Sequence, residues 1–294
     1  MYSSPYELIR ESISPPLSAH CNDRKVDYIR ERGTGVIDED VLLMQDNIFG
    51  VFDGASSING QLFSDGTSGG FLAAQQAAEV FKLNQGSLLE LTDKANRLIR
   101  NHMATFAVDL QKKWNRWSTS MAVVRIEENY FDWCQIGDCL ILTIKRDGSF
   151  HMLVQDPGQD EETFAEWKKL NPSPDDNILD LLQEKIIEVR EKMNVEYGSL
   201  NGEKQALDFA NSGREPLEGI ADIILYTDGL SLPCSGNEKS ENSTMEQFVS
   251  LYHQRGVGGI LEHVRSLQKK DTSCHLYPRF KMHDDATAIA ITFP

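Results

Sequence analysis

The sequence has no run of about 18 apolar residues, the length a membrane-spanning helix requires. Its opening, "MYSSPYELIRESISPP", lacks the basic start and apolar core of a secretory signal. Both absences predict a soluble, unprocessed, cytoplasmic protein with no membrane partner. There is no CxxC pair, and the five cysteines (Cys21, Cys134, Cys139, Cys234, Cys274) are odd in number and irregularly spaced. A reducing compartment is therefore expected, without a disulfide framework. The seven histidines form neither an HExxH pair nor finger-like spacing with cysteine, so a zinc site has no support and any metal must be held by oxygen. Positive charge is also scarce: 29 Lys and Arg against 45 Asp and Glu leave a net charge of −16. That balance argues against a nucleic-acid partner.

What is present suffices for a large core, since 294 residues are 40% hydrophobic and 9% aromatic. No internal repeat or low-complexity linker divides the chain, so a single domain over 1–294, acting as a monomer, is expected. "RKVDYIRE", "DVLLMQ" and "NIFGVFD" read as strands. "GGFLAAQQAAEVF" and "SLLELTDKANRLIRNHMATFAVDLQKKW" read as helices, the second opened by the capping-box spacing of Ser87 and Glu90. Four further runs, "TSMAVVRI", "YFDWCQIG", "CLILTIKR" and "SFHMLV", predict an antiparallel meander.

An acidic segment follows, marked by Pro157, Pro172 and Pro174; from Asp156 to Glu196 it holds 12 acidic and five basic residues. Such a run is usually a solvated face. Within it Ile178, Leu182, Ile186, Val189 and Met193 are spaced as core contacts of a helix. The last third contributes the strand "DIILYTDG", two helical stretches from about Ser243 to Lys270 with a second capping-box spacing at Ser243 and Glu246, and the strand "ATAIAITF". The order suits sheets covered by helices in one layered domain.

The unusual feature is acid at the ends of apolar strands. "IFGVFDG" runs into Asp53 and "IILYTDG" into Asp228, Asp138 sits at a turn in "QIGDCLIL", Asp284 heads "DDATAIAI", and Glu39 and Asp40 precede "VLL". Each alone reads as a turn, and Asp-Gly is a strong hairpin signal. No lysine or arginine stands directly beside these junctions. Acids gathered there would repel one another and raise their pKa values unless divalent cations neutralised them. Oxygen ligands favour Mg2+ or Mn2+, and Gly54 has no side chain to keep its carbonyl from a metal.

"DEDVLL", "VFDGASS", "QIGDCLIL", "YTDGLS" and "DDATAIAI" occur in the order and approximate spacing of the metal-dependent protein phosphatases, and from about Val36 onward the chain resembles the protein phosphatase 2C family. The resemblance implies an α+β fold, a four-layer α-β-β-α sandwich of two antiparallel sheets with helices on both outer faces. It implies a binuclear Mg2+ or Mn2+ centre: Asp53 as bridging ligand, Gly54 through its carbonyl, Asp228 and Asp284 on the first metal, Glu39 and Asp40 largely through water. Asp138, with Asp228, matches the acids of a third metal site. The implied activity is hydrolysis of phosphoserine and phosphothreonine in phosphorylated proteins by a metal-activated water, so Asp53, Asp228 and Asp284 act catalytically through that water. The acidic segment, about 156–215, falls where family members carry a flap beside the active site.

Two positions depart from the pattern. Ala55 stands where many members have a histidine that acts as general acid, and Gly35 stands where a phosphate-binding arginine is usual, leaving Arg32 or Arg30 as the nearest substitutes. These departures motivate an alternative, a catalytically weak phosphatase-like module that binds a phosphorylated partner. The glycine pair after the opening motif is displaced to Gly69 and Gly70. "FSDGTSG" imitates the haloacid dehalogenase signature, but Phe63 occupies the nucleophile's position, which excludes that class.

Overall fold

The computed structural model describes residues 24–170, 173, 176–233 and 241–294. Cys21, Pro172, Pro174 and Cys234 lie outside the described residues, as does the opening stretch. Among the described residues ten strands form two sheets of five, antiparallel throughout. One sheet runs β1 (Lys25–Glu31), β10 (Ala286–Thr292), β9 (Ile220–Tyr226), β6 (Leu140–Lys145) and β7 (Phe150–Met152). The other runs β2 (Asp40–Gln45), β3 (Ile48–Gly54), β4 (Thr119–Ile126), β5 (Tyr130–Ile136) and β8 (Asn211–Pro216).

The inner strands β3, β4, β9 and β10, and β6 beside them, read as nearly continuous apolar runs because both their faces are covered. Along β3, Phe49 and Val51 point between the sheets against Ile223, Leu225, Ile289 and Ile291. Ile48 and Phe52, one residue out of phase, pack outward under helices α1 (Gly69–Lys82) and α2 (Leu88–Thr105). Period-two alternation thus divides one strand between two cores. The other sheet is covered by α6 (Glu241–Gln268), whose Phe248, Val257, Ile260 and Val264 pack on Ile224, Ala288 and Ala290. The result is the expected α-β-β-α layering.

The expected meander does not form. β5 pairs with β4 and β8, whereas β6 pairs with β7 and β9, so the chain changes sheets at Gly137 and Asp138. Alternation and a short turn are the same for a hairpin and for a crossing between packed sheets, and neither distinguishes them. The capping box of α2 is present in both halves: the Ser87 hydroxyl accepts from Glu90 N–H and Glu90 accepts from Ser87 N–H. α2 ends at Thr105, short of Trp114, and Ala107 follows with φ of 53°. The two helical stretches of the last third are two parts of α6, interrupted at Gly256, where φ is 65°. α6 begins at Glu241, so Ser243 lies inside it.

Helices α3 (Glu161–Leu170), α4 (Ile178–Leu181) and α5 (Gln183–Glu191) fold the acidic segment over one end of the sandwich. Trp167, Ile178 and Leu182 form a small core of their own with Phe164, Leu179 and Phe280. Outside it, Lys185 pairs with Glu162 (2.9 Å) and Glu188 (3.1 Å), and Lys192 with Glu162 (3.5 Å) and Glu196 (3.4 Å). Glu162, Glu188 and Glu196 thus form a solvated, ion-paired face.

Candidate active site

The strand ends that carry the acids meet at one end of the sandwich. Asp40 opens β2 and lies directly opposite Asp53 on β3, which in turn faces Ser120 on β4. Asp228 follows β9, Asp284 precedes the adjacent β10, and Asp138 sits at the crossing between β5 and β6. Asp53, Asp138, Asp228 and Asp284 line one cavity of about 160 Å³ with Gly54, Ala55, Ser120 and residues of the acidic segment.

A buried frame fixes these positions. Thr227 donates its hydroxyl to Asp40 Oδ2 at 2.9 Å, tying the two sheets together beside the site. Asp285 is buried and accepts from the N–H groups of Gly33 (2.7 Å) and Glu39 (3.0 Å). Glu39 accepts from the hydroxyls of Ser56 and Ser68, and Ser68 also caps α1 by accepting from Phe71 N–H at 3.1 Å. A Cβ on Gly54 would lie 2.4 Å from the Gly70 carbonyl carbon, so glycine is required where β3 meets the start of α1. That close packing explains both Gly54 and Gly70, while Gly69 lies against the Trp117 ring, which a Cβ would meet at 2.2 Å.

The electrostatics follow from burial and crowding. Asp40, Asp53 and Asp228 are all pushed well above the ordinary carboxylate range, first by burial and then by the neighbouring carboxylates. Asp53 is the carboxylate that contributes most, after burial, to the raised pKa of Asp228. Asp40 Oδ1 is buried with no partner. Among the described residues no three His, Cys, Asp or Glu side chains converge into a ready metal cage; the acids face one another around the cavity. Their chemistry nevertheless suits a hard divalent cation: every donor is oxygen, like charges are crowded, and one buried carboxylate oxygen is unsatisfied.

Positive charge reaches the site from two places the sequence pattern did not single out. Lys281, three residues before Asp284, approaches its Oδ1 to 3.0 Å. Burial opposes the Lys281 charge, but Asp284 and Asp285 outweigh it and hold its pKa above the usual value. From α5, Arg190 lines the same cavity and donates to the Ser56 carbonyl at 2.6 Å. Burial lowers its pKa, against the opposing charges of Tyr197, Asp160 and Glu39. It was legible only as the single arginine between Asp156 and Glu196.

Arg32, by contrast, is exposed, donates to the Val36 carbonyl at 3.2 Å, and does not line the cavity. Arg30 pairs with Asp38 at 2.8 Å. Asp160 and Tyr197 also line the cavity. Asp160 is pushed up to about 7 by burial and then by Asp138, and burial likewise raises Tyr197. Their positions, in the turn before α3 and in the loop after α5, gave no spacing signal.

Solved structures similar to this one are bacterial phosphatases. PstP/Ppp of Mycobacterium tuberculosis matches with a TM-score of 0.55 at 17% identity, over 92% of this chain and 99% of that one. The catalytic domain of PstP, solved in complex with two manganese ions, matches with a TM-score of 0.54 at 16% identity, over 92% and 98%. PppA of Pseudomonas aeruginosa matches with a TM-score of 0.55 at 12% identity, over 92% and 98%. No curated protein matches by sequence. At these identities the structures establish the fold, the antiparallel sandwich described above. The family model for protein phosphatase 2C matches residues 39–265, from the first buried acid of the site to the end of the helical cover. Over that span, and with the acid-bearing strand ends gathered at one cavity, the chain belongs to the protein phosphatase 2C family.

Proposed function

We propose that this protein is a Mg2+- or Mn2+-dependent phosphatase acting on phosphoserine and phosphothreonine in proteins. The observation that carries the reading is one cavity lined by Asp53, Asp138, Asp228 and Asp284 with Arg190 at its side. Asp53, Asp228 and Asp284, with the Gly54 carbonyl, would hold two ions, Glu39 and Asp40 would support them through water, and Asp138 with Asp228 would form a third, weaker site. Bound there, the ions would supply an activated water and offset charge on the phosphoryl oxygens. That the similar PstP catalytic domain was solved with two manganese ions supports a two-ion reading.

The chain's own groups do the positioning. Arg190 takes the role that the sequence left to Arg32, because its guanidinium faces the acid-lined cavity while Arg32 points away from it. Its bond to Ser56 fixes the guanidinium beside Glu39, where a phosphate dianion is met by a planar donor. The helical part of the acidic segment, expected at about 156–215, acts as a flap, with α3 to α5 over the acids and the ion-paired face outward, whereas its last residues join the sheet as β8. Asp160 and Tyr197 are the protonatable groups closest in role to the absent histidine at Ala55.

The test is hydrolysis of a phosphothreonine peptide by purified protein with added Mn2+, stopped by chelator and restored by excess metal. Equal activity in metal-free buffer would remove the metal-dependent mechanism.

A further inference from the structure

The cavity is acidic on one side only. Its other wall is apolar: Ile186, Val189 and Met193 are buried, and Ile58, Leu179 and Phe280 remain half-exposed around the opening. The helical spacing predicts core contacts for Ile186, Val189 and Met193, and burial agrees, but they also form the cavity wall. Ile58 belongs to the extra stretch after the opening motif, Leu179 to α4, and Phe280 to the loop before β10. Three separate chain segments thus bring half-exposed apolar side chains to the same charged cavity, beside Arg190.

We infer that this wall is a specificity subsite, and that the preferred substrate is a phosphorylated serine or threonine with a bulky apolar residue next to it. The inference rests on the phosphatase reading above and names its substrate class. A free phosphate or a polar sugar phosphate would leave these side chains exposed to water, whereas a neighbouring leucine or phenylalanine would cover them. A net charge of −16 disfavours acidic flanking residues.

The experiment compares phosphothreonine peptides identical except for Leu, Phe, Ser or Asp at the flanking positions. With Mn2+ present, kcat/KM for the Leu or Phe peptide should exceed that for the Ser peptide by about tenfold, the discrimination one buried apolar group gives. In Ile58→Ser with Leu179→Ser, both half-exposed positions, that ratio should fall to about twofold while hydrolysis of a small aryl phosphate persists. Val189→Ala, a milder change at a buried position, should lower it in the same direction.

A ratio near one in the unaltered protein overturns the subsite. If no peptide is hydrolysed, the phosphatase reading fails separately, and fluorescence anisotropy of the same labelled peptides still decides the subsite. Binding that favours Leu or Phe supports it, and binding indifferent to the flanking residue overturns it.

Discussion

Asp40 and Asp53 are directly opposed across the β2–β3 ladder, two carboxylates on the same face of a sheet. Like charges so placed are destabilising, and both acids are pushed well above the ordinary range by burial and then by their acidic neighbours. A fold keeps such a pair only where something else offsets the repulsion. Lys281 reaches Asp284, and on the proposed function a bound cation offsets the opposed pair.

Asp53→Asn should therefore separate function from stability. Manganese-dependent hydrolysis should fall on the order of 10³-fold, since a metal-held reaction centre supplies several kcal/mol. The metal-free protein should melt at a higher temperature than the unaltered one near pH 8. The sign follows from the raised pKa: an acid whose folded value lies above its unfolded value favours the folded state when neutral, and that stability is lost as pH rises through the folded value. Melting in chelator at pH 5 and pH 8 checks it; an unaltered protein that is no less stable at pH 8 relative to the variant would remove the repulsion argument.

Arg190 gives a second test. Arg190→Ala should lower kcat/KM by about 10- to 100-fold and weaken inhibition by inorganic phosphate in parallel, as expected for a charge-assisted pair worth ~1.5–3 kcal/mol. Arg190→Lys should recover only part, because a point charge replaces a planar fork. Arg32→Ala, at an exposed residue, should stay within about twofold. Phosphate inhibition constants for the three variants decide which arginine meets the dianion.

How much of this was legible in the sequence differs from residue to residue. Asp53, Asp138, Asp228 and Asp284 could be picked out because each interrupts an apolar run at a turn, and period-two patterning predicted the strands that bring them together. The sheet partners were not legible: β5 and β6 are joined by a short turn yet lie in different sheets, and alternation is blind to that choice. Arg190 and Asp160 were missed because they sit in a segment whose composition reads as solvated surface. Only the folding of α3 to α5 over the site turns one edge of that surface inward. Lys281 was overlooked since the loop before β10, not proximity in the strand, carries it back to Asp284.

That lysine sets a third prediction. An ammonium 3.0 Å from Asp284 Oδ1 competes with any cation held by the same carboxylate. Lys281→Met, which keeps the apolar stem, should raise Mn2+ affinity by about tenfold, equivalent to ~1.4 kcal/mol. Titration calorimetry reads this without reference to turnover, and unchanged or weaker affinity would show that the lysine supports the site and does not compete within it.

The loop that delivers Lys281 depends on Asp271. Its Oδ1 accepts from the N–H groups of His275 and Leu276 (both 3.0 Å), and its Oδ2 from Tyr277 N–H (2.9 Å) and Arg279 (2.8 Å). Burial raises the Asp271 pKa, but these donors outweigh it and hold the carboxyl below its usual value. Asp271→Asn keeps one accepting oxygen and turns an NH₂ toward donors that need an acceptor. The loss should be roughly 2–4 kcal/mol, with Tm lower by about 5–10 °C. A depressed acid contributes stability above its unfolded pKa and loses it as pH falls through the folded value. The melting gap between the two proteins should therefore be full near neutral pH and close only in acid, below the usual carboxylate range. A gap independent of pH would mean that shape, not charge, holds the loop, and a gap with intact hydrolysis would mean that Lys281 and Phe280 reach the site without it.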